Sequence, residues 1–126
     1  MHKKTAPLAL ALGALALATG GIAAEAADKG DQMFHRYCFI CHDTTPGKNK
    51  LGPSLAGVIG RKAGSEPGFA YSPAMKGAGF TWDEQALDQY LTDPRAKVPG
   101  NKMMFIGVKS ADERHAIIEY LAKFKS

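Results

Sequence analysis

Three segments of the chain place apolar residues three and four positions apart, which is the spacing of one helix face. The first extends from Lys29 to about Tyr37, and Met33 and Phe34 lie on its inner face. Asp28 is a suitable N-cap, because its side chain can accept hydrogen bonds from the free backbone N–H groups of a first turn. We therefore predict a first helix that leads directly into Cys38.

The other two helical segments lie nearer the C-terminus, and each begins with a capping box, a Ser or Thr followed three residues later by Glu. Thr81 and Glu84 open the earlier segment, and Pro94 ends it because a helix interior does not tolerate proline. Ser110 and Glu113 open the last helix. The predicted inner faces are Trp82, Ala86, Leu87, Tyr90 and Leu91 in the earlier helix, and Ala116, Ile117, Tyr120, Leu121 and Phe124 in the last.

The middle of the chain, residues 43–80, shows no useful run of strand-like alternation, and Pro and Gly interrupt it repeatedly between Pro46 and Pro73. A loop region of this length is unusual in a compact domain unless something other than its own secondary structure orders it. The sequence therefore predicts an all-α fold with several short helices and long loops.

The N-terminal segment has the composition of an export signal. Residues 2–4 are basic, residues 7–22 form an apolar run, and Ala24-Glu25-Ala26 supplies an A-x-A cleavage site. The alternative is an uncleaved membrane anchor, but the run is rich in Ala and Gly and shorter than the ~20 strongly apolar residues of a spanning helix. We predict that residues 1–26 are a cleaved secretory signal peptide and that residues 27–126 form one domain.

The charge of that domain is mildly basic. Two of the 16 Lys/Arg and one of the 12 Asp/Glu lie in the leader, so residues 27–126 keep a net charge of +3. A basic surface favours docking to acidic protein surfaces. The basic residues are spread along the chain without a nucleic-acid-binding motif, so we expect no nucleic acid partner.

The only two cysteines, Cys38 and Cys41, stand in a C-x-x-C-H motif with His42. This is the attachment signature of a c-type haem: each thiol can form a thioether with a haem vinyl group, and the histidine can bind the iron. A thioredoxin-like pair should lie in a βαβ pattern, which is absent. A structural zinc site needs a fourth strong ligand, and the chain has no second Cys/His pair. A haem would also order the long middle loops.

A second iron ligand is expected on the distal side of such a haem. The segment Pro99–Gly107 contains Met103 in a loop constrained by Pro and Gly, where a thioether can reach the iron. From chemistry alone Met75, Met103 and Met104 could equally be core filler, since methionine packs well in irregular cores.

Short motifs follow one another along residues 28–124. They are Gly30 and Phe34 before C-x-x-C-H, Gly52-Pro53-Ser54-Leu55-Ala56-Gly57, Gly60-Arg61-Lys62, Tyr71-Ser72, Thr81-Trp82, Tyr90-Leu91, Pro94, Pro99-Gly100-Asn101-Lys102-Met103, and Glu113-Arg114 through Ile117 to Tyr120-Leu121. In this order they resemble the class I c-type cytochromes, which include mitochondrial cytochrome c and its bacterial periplasmic counterparts. The resemblance implies the class I cytochrome c fold, with short helices and long loops around one haem.

The resemblance implies roles for individual residues. One haem c would be bound covalently through Cys38 and Cys41, with His42 and Met103 as iron ligands. Pro53 would accept a hydrogen bond from Nδ1–H of His42. The other haem-binding residues implied are Tyr90 near the Met103 sulfur and, around a haem propionate, Arg61, Tyr71, Ser72 and Trp82.

Asn101 completes the implied haem-binding set and departs from the family. The family usually has a threonine where Asn101 stands and an asparagine where Met75 stands. Those two positions normally hold a buried water beside the methionine ligand. We therefore expect the surroundings of Met103 to differ from the usual arrangement.

Ligation by a histidine and a methionine leaves no open coordination site on the iron, so the implied function is single-electron transfer and not enzymatic turnover. We expect a soluble single-haem electron carrier of respiration or photosynthesis. One alternative is a haem-based sensor or weak peroxidase with a labile distal ligand. Another is a dedicated redox subunit of a periplasmic dehydrogenase.

We expect a periplasmic monomer whose partners are membrane redox complexes or periplasmic dehydrogenases. The membrane complexes considered are a cytochrome bc complex, a terminal oxidase and a photosynthetic reaction centre. An acidic partner would be steered to the exposed haem edge by a rim of lysines: Lys48, Lys50, Lys97, Lys102 and Lys109.

Overall fold

The computed structural model describes residues 5, 9–11, 13–14 and 20–126. Its helices are α1 (Gly20–Tyr37), α2 (Pro73–Lys76), α3 (Glu84–Thr92), α4 (Pro94–Lys97) and α5 (Ala111–Leu121). Within these residues the extended pairing is confined to an isolated antiparallel bridge between Lys62 and Thr81. The prediction of an all-α fold with long loops is confirmed.

The leader predicted for residues 1–26 lies largely outside the described residues. Helix α1 nevertheless begins at Gly20, inside that segment, and continues without interruption to Tyr37. The prediction of Asp28 as N-cap is therefore wrong for the full chain, because the alanine-rich residues before it are strong helix formers and extend the helix upstream. None of the helices described is both long and apolar enough to cross a bilayer.

Helix α3 begins two residues later than the capping box implied. Its N-cap is Asp83, whose carboxylate accepts a hydrogen bond from the backbone N–H of Ala86 at 2.6 Å. Thr81 is instead paired with Lys62 in the bridge, which holds its backbone in an extended conformation. The Thr81–Glu84 box is therefore wrong. The predicted end is confirmed, since α3 stops at Thr92 before Pro94.

Helix α5 begins where Ser110 and Glu113 predicted. The hydroxyl of Ser110 accepts a hydrogen bond from the backbone N–H of Glu113 at 3.3 Å, which caps the helix. The carboxylate of Glu113 accepts a hydrogen bond from the hydroxyl of Tyr37 at 2.8 Å and lies 3.7 Å from Arg36. This side chain therefore links α5 to the end of α1, immediately before Cys38.

The crossing of α1 and α5 anchors the C-x-x-C-H motif to the core. A Cβ atom placed on Gly30 would lie 2.7 Å from both the carbonyl oxygen of Ala116 and Cβ of Tyr120, so only glycine allows this approach. The rings of Phe34 and Tyr120 pack 5.3 Å apart, and Ile117 is fully buried. Burial of each such apolar side chain stabilises the fold by about 1.5–3 kcal/mol.

Candidate haem site

The two cysteines lie on one helical turn that continues from α1. The N–H of Cys38 donates to the carbonyl of Phe34 at 2.8 Å, and the N–H groups of Cys41 and His42 donate to the carbonyl of Cys38 at 3.0 and 2.9 Å. Both thiols are free, with Cys38 buried and Cys41 half-buried. Burial, reinforced by the neighbouring Cys41, raises the pKa of the Cys38 thiol to about 12. One turn therefore presents two thiols and an imidazole together.

The imidazole of His42 has a fixed tautomer. Its Nδ1 lies 2.8 Å from the carbonyl oxygen of Pro53, and because that oxygen can only accept, Nδ1 carries the proton. Burial lowers the pKa of His42, and the bond to Pro53 opposes that shift. The neutral ring therefore keeps the lone pair of Nε2 for a metal.

The ring orientation of His42 depends on Gly52. A Cβ atom built on Gly52 would fall 2.6 Å from Nδ1 of His42, so any side chain there would displace the imidazole. The backbone N–H of Gly52 also donates to the carbonyl of Cys41 at 2.7 Å, which holds this loop against the C-x-x-C-H turn.

The side chain of Met103 lies beside Tyr90, as the resemblance implies. The hydroxyl of Tyr90 is 3.7 Å from Sδ of Met103 and 3.5 Å from Oδ1 of Asn101. Burial raises the pKa of Tyr90 to about 12, so the hydroxyl keeps its proton and remains a donor at neutral pH. Of the other two methionines considered, Met104 is 95% exposed and Met75 is buried in the core.

Trp82 connects Tyr90 to the loop that carries Arg61. Its ring is buried and packs edge-on against Tyr90, with the centroids 4.9 Å apart. The backbone N–H of Trp82 donates to the carbonyl of Arg61 at 2.8 Å. Ser72, also predicted at the site, caps α2 by accepting a hydrogen bond from the N–H of Met75 at 3.1 Å.

Arg61 has a partner that the sequence reasoning missed. Its Nη1 donates to Oε2 of Glu66 at 2.7 Å, and the two side chains are only 13% and 10% exposed. Nη2 of Arg61 also donates to the carbonyl of Ser54 at 2.9 Å. The backbone N–H of Glu66 donates to the hydroxyl of Tyr71 at 3.1 Å, so Glu66 joins Arg61 to Tyr71. No local sequence pattern marks Glu66, because its side chain contacts Arg61 only once the loop has folded.

These residues fit a covalently attached haem. Two free thiols and an oriented imidazole share one turn, and Cys38, Trp82 and Tyr90 belong to one apolar cluster against which Met103 packs. In the part of the chain that is described, no three His, Cys, Asp or Glu side chains are placed to hold a metal ion together. A single turn that offers two thiols and an imidazole defines the class of proteins that attach a c-type haem covalently.

Known proteins agree with this class. Cytochrome c2 of Blastochloris viridis is 43% identical over 120 residues, which is 94% of this chain and 94% of the relative. Cytochrome c2 of Rhodomicrobium vannielii is 46% identical over 120 residues, covering 94% of this chain and 95% of the relative. The solved structure of cytochrome cH from Methylobacterium extorquens shares 44% identity and a TM-score of 0.72 over 77% of this chain and 97% of that one. No family model matches the chain.

The chain belongs to the class I c-type cytochromes. It is an electron carrier, and its cofactor is one covalently bound haem c. The predictions of family, fold, function and cofactor are confirmed, and the comparisons do not favour the sensor, peroxidase or dehydrogenase-subunit alternatives. The relatives are electron-carrier cytochromes and not enzymes, which is consistent with the expected absence of catalytic turnover.

Proposed function

We propose that this cytochrome carries single electrons through the periplasm to or from a membrane redox complex, with His42 and Met103 as the axial ligands of the haem iron. The bound haem supplies the one-electron chemistry, because its iron changes oxidation state. The observation that carries the proposal is the imidazole of His42, which is attached to the thiol-bearing turn and held by the carbonyl of Pro53 at 2.8 Å.

The protein residues set the orientation and polarity of the two ligands. Pro53 occupies Nδ1 of His42 and so directs Nε2 away from the loop. Tyr90 directs its hydroxyl at the Met103 sulfur, and its raised pKa keeps that hydroxyl neutral. Apolar packing around these groups excludes water, which favours the form of the haem with the smaller net charge.

The propionate-binding role of Arg61, Tyr71, Ser72 and Trp82 remains part of the proposal. A guanidinium has five N–H donors. Arg61 directs three hydrogen bonds to Glu66 and to the carbonyls of Ala56 and Ser54, so donors remain for a propionate. The carboxylate of Glu66 would then share the guanidinium with the cofactor.

The periplasmic location depends on removal of residues 1–26. The matches to the two cytochromes c2 span 120 residues, more than the 100 residues of the predicted domain, so they include part of the leader. Cytochrome cH matches 77% of the chain, a length close to that of the domain alone. Both observations support a leader followed by a single domain. Intact-mass measurement of the exported protein would test cleavage before Ala27.

The proposed docking face surrounds the haem-attachment turn. Its centre is a set of exposed apolar side chains: Phe39, Ile40, Leu51, Met104 and Ile106. Tyr37 and Phe105, whose ring centroids lie 6.2 Å apart, join the two segments that carry these side chains. Exposed apolar patches of this kind mark interaction sites.

The lysines predicted around this face differ in whether their charge is neutralised by a neighbouring carboxylate. Lys48 is neutralised by Asp43 at 2.8 Å. Lys50 donates to the carbonyl of Phe39 and lies 4.4 Å from the centre of its ring, and Lys97 donates to Gln89 at 2.7 Å. Lys102 donates to the carbonyl of Ala70. Because these partners are neutral, Lys50, Lys97 and Lys102 keep their full positive charge. This supports a partner whose docking surface has an apolar centre and an acidic rim. The proposed partners are a cytochrome bc complex, a terminal oxidase, a photosynthetic reaction centre or a periplasmic dehydrogenase.

Reoxidation by membranes tests the proposal directly. The exported protein, with its haem attached, is reduced and mixed with bacterial membranes that contain an active terminal oxidase, and haem oxidation is followed by absorbance. Proteolytically shaved membranes serve as the control for oxidation that does not need exposed membrane proteins, and a sample without membranes serves as the control for oxidation by dissolved oxygen. We expect rapid oxidation by intact membranes only. Equal rates with intact, shaved and no membranes would contradict a carrier role toward this class of partner.

A further inference from the structure

Both polar atoms of the Asn101 side-chain amide form hydrogen bonds within or next to the methionine loop, residues 99–107, which carries Met103. Its Nδ2 donates to the carbonyl of Pro94 at 2.9 Å and to that of Val98 at 2.8 Å. Its Oδ1 accepts from the backbone N–H of Met103 at 2.9 Å and lies 3.5 Å from the hydroxyl of Tyr90. The orientation of the amide is unambiguous, because the two carbonyls can only accept and the N–H of Met103 can only donate.

These bonds tie the entry of the methionine loop to α4. Pro94 is the first residue of α4 and Val98 is its C-cap, so both anchor carbonyls belong to a defined element. The exit of the loop is held by different groups. The N–H of Val108 donates to the carbonyl of Leu91 at 2.7 Å, and Arg114 donates to the carbonyl of Val108 at 2.9 Å while pairing with Asp88.

A threonine, the residue usual in the family, could not make the same set of contacts. One hydroxyl supplies a single hydrogen-bond donor, whereas the asparagine amide supplies two donors and a carbonyl acceptor in fixed geometry. Asn101 is therefore able to hold two carbonyls of α4 and the backbone of Met103 at the same time. Threonine would have to release at least one of the two carbonyls.

We propose that Asn101 is a positioning residue for Met103, which keeps the thioether in place by fastening the loop entry to α4. This inference rests on the proposed ligation of the iron by Met103. An external ligand can bind the iron only when Met103 has left it, so the binding rate reports the fraction of molecules with the loop open. Removing the amide should raise that fraction without changing the iron chemistry.

The experiment uses the full oxidised protein with its haem, mixed with imidazole in a stopped-flow instrument. The near-infrared sulfur-to-iron band is recorded before mixing. Because Asn101→Ala removes the hydrogen bonds to Pro94, Val98 and Met103, we expect it to bind imidazole at least about tenfold faster than the parent while retaining the band at rest. Asn101→Thr should lie between the two, because its hydroxyl can still accept from the N–H of Met103.

Asn49 offers a matched control in another loop. Its Oδ1 accepts a hydrogen bond from the N–H of Ser54 at 2.9 Å, and its Nδ2 donates to the carbonyl of Pro67 at 3.0 Å. Asn49→Ala therefore also removes side-chain amide hydrogen bonds that connect two parts of the backbone. We expect its imidazole rate to stay within about twofold of the parent. Denaturant midpoints of the Asn49→Ala and Asn101→Ala variants show whether their stability losses are comparable.

The outcomes separate this inference from the proposed ligation. If Met103→Ala keeps the band, the ligation is wrong and the inference about Asn101 falls with it. If Met103→Ala loses the band but Asn101→Ala binds imidazole at the parental rate, the ligation stands and Asn101 is not a positioning residue. Equal acceleration in the Asn49 and Asn101 variants would also overturn the inference. If Asn101→Ala fails to retain haem, the imidazole-binding rate of Asn101→Thr is compared with those of the parent and Asn49→Ala instead. A rate equal to that of the parent would overturn the inference.

Discussion

Arg61 and Glu66 form a nearly buried ion pair, with Nη1 and Oε2 separated by 2.7 Å. The same guanidinium is one of the groups expected around a haem propionate. At the proposed propionate site, the carboxylate of Glu66 would place a second negative charge near the cofactor and would share the same guanidinium. The pair would then connect the electrostatics of the haem to a residue that no sequence motif marked.

Glu66→Gln should raise the reduction potential. Removing a negative charge near the iron disfavours the more positively charged oxidised state, and the released guanidinium can pair more fully with a propionate, which acts in the same direction. We expect a rise on the order of tens of millivolts. Redox titration of the haem absorbance measures it.

Glu119→Gln is the control for this prediction, because Glu119 is exposed on α5 and pairs with His115 at 3.2 Å. Its potential should match that of the parent. An unchanged or lowered potential in Glu66→Gln would show that the Arg61–Glu66 pair does not act on the haem.

Ligation by Met103 predicts a distinct response to three methionine substitutions. Met103→Ala should abolish the near-infrared sulfur-to-iron band of the oxidised protein, whereas Met104→Leu should retain it because Met104 is 95% exposed. Met75→Leu should also retain the band, at a cost of less than about 1.5 kcal/mol in stability for a buried swap of similar volume. Loss of the band in Met104→Leu alone would show that the wrong sulfur has been chosen.

Docking through the proposed face predicts two separable effects on the reoxidation rate with membranes. Lys97→Gln with Lys102→Gln should lower the rate at low salt and flatten its fall with salt, since exposed charges are screened over ~10 Å at 0.1 M. Ile40→Ser with Met104→Ser should lower the rate at all salt concentrations and preserve the salt slope, because it removes apolar contact area and no charge.

Lys123→Gln serves as the charge control, because Lys123 lies at the end of α5 over the ring of Tyr120. It should leave both the rate and the slope unchanged. A flat salt profile in the parent protein would contradict the acidic rim assigned to the partner, and an unaltered rate in the Ile40–Met104 double variant would contradict the apolar centre.

The parts of this protein that the sequence predicts well depend on local chemistry or fixed spacing. The C-x-x-C-H turn, the Ser110 cap and the stop before Pro94 each involve residues within a few positions of one another. The helix start near Thr81 was mispredicted because Asp83 is a competing cap and because Thr81 pairs with Lys62, nineteen positions away.

Contacts between loops were not accessible from the sequence. The Arg61–Glu66 pair and the anchoring of Asn101 to Pro94 and Val98 depend on the path of the glycine-rich loops, which local propensity does not determine. Gly30 is an instructive intermediate case. The motif marks this glycine in the sequence, and the 2.7 Å between a Cβ atom built on it and Cβ of Tyr120 explains why glycine is needed there.

The hydrogen bond from Tyr37 to Glu113 predicts a specific pH dependence of stability. The bond to the Glu113 carboxylate, aided by burial, raises the pKa of Tyr37 above its ordinary value near 10. Because the folded protein binds this proton more tightly than the unfolded chain, the stabilisation is complete below pH ~10 and is lost as pH rises through the raised pKa of the folded state. Above that, a tyrosinate beside a carboxylate is destabilising.

Tyr37→Phe should therefore lower the denaturant midpoint at pH 7, and the difference from the parent should shrink as pH rises above 10. Urea unfolding followed by far-UV circular dichroism between pH 7 and 11 measures both curves. Phe105→Leu is the control: the ring of Phe105 packs against Tyr37 and carries no titratable group, so its difference from the parent should stay constant across this pH range. A constant difference between Tyr37→Phe and the parent across the whole range would show that the hydroxyl stabilises the fold without the coupling to Glu113.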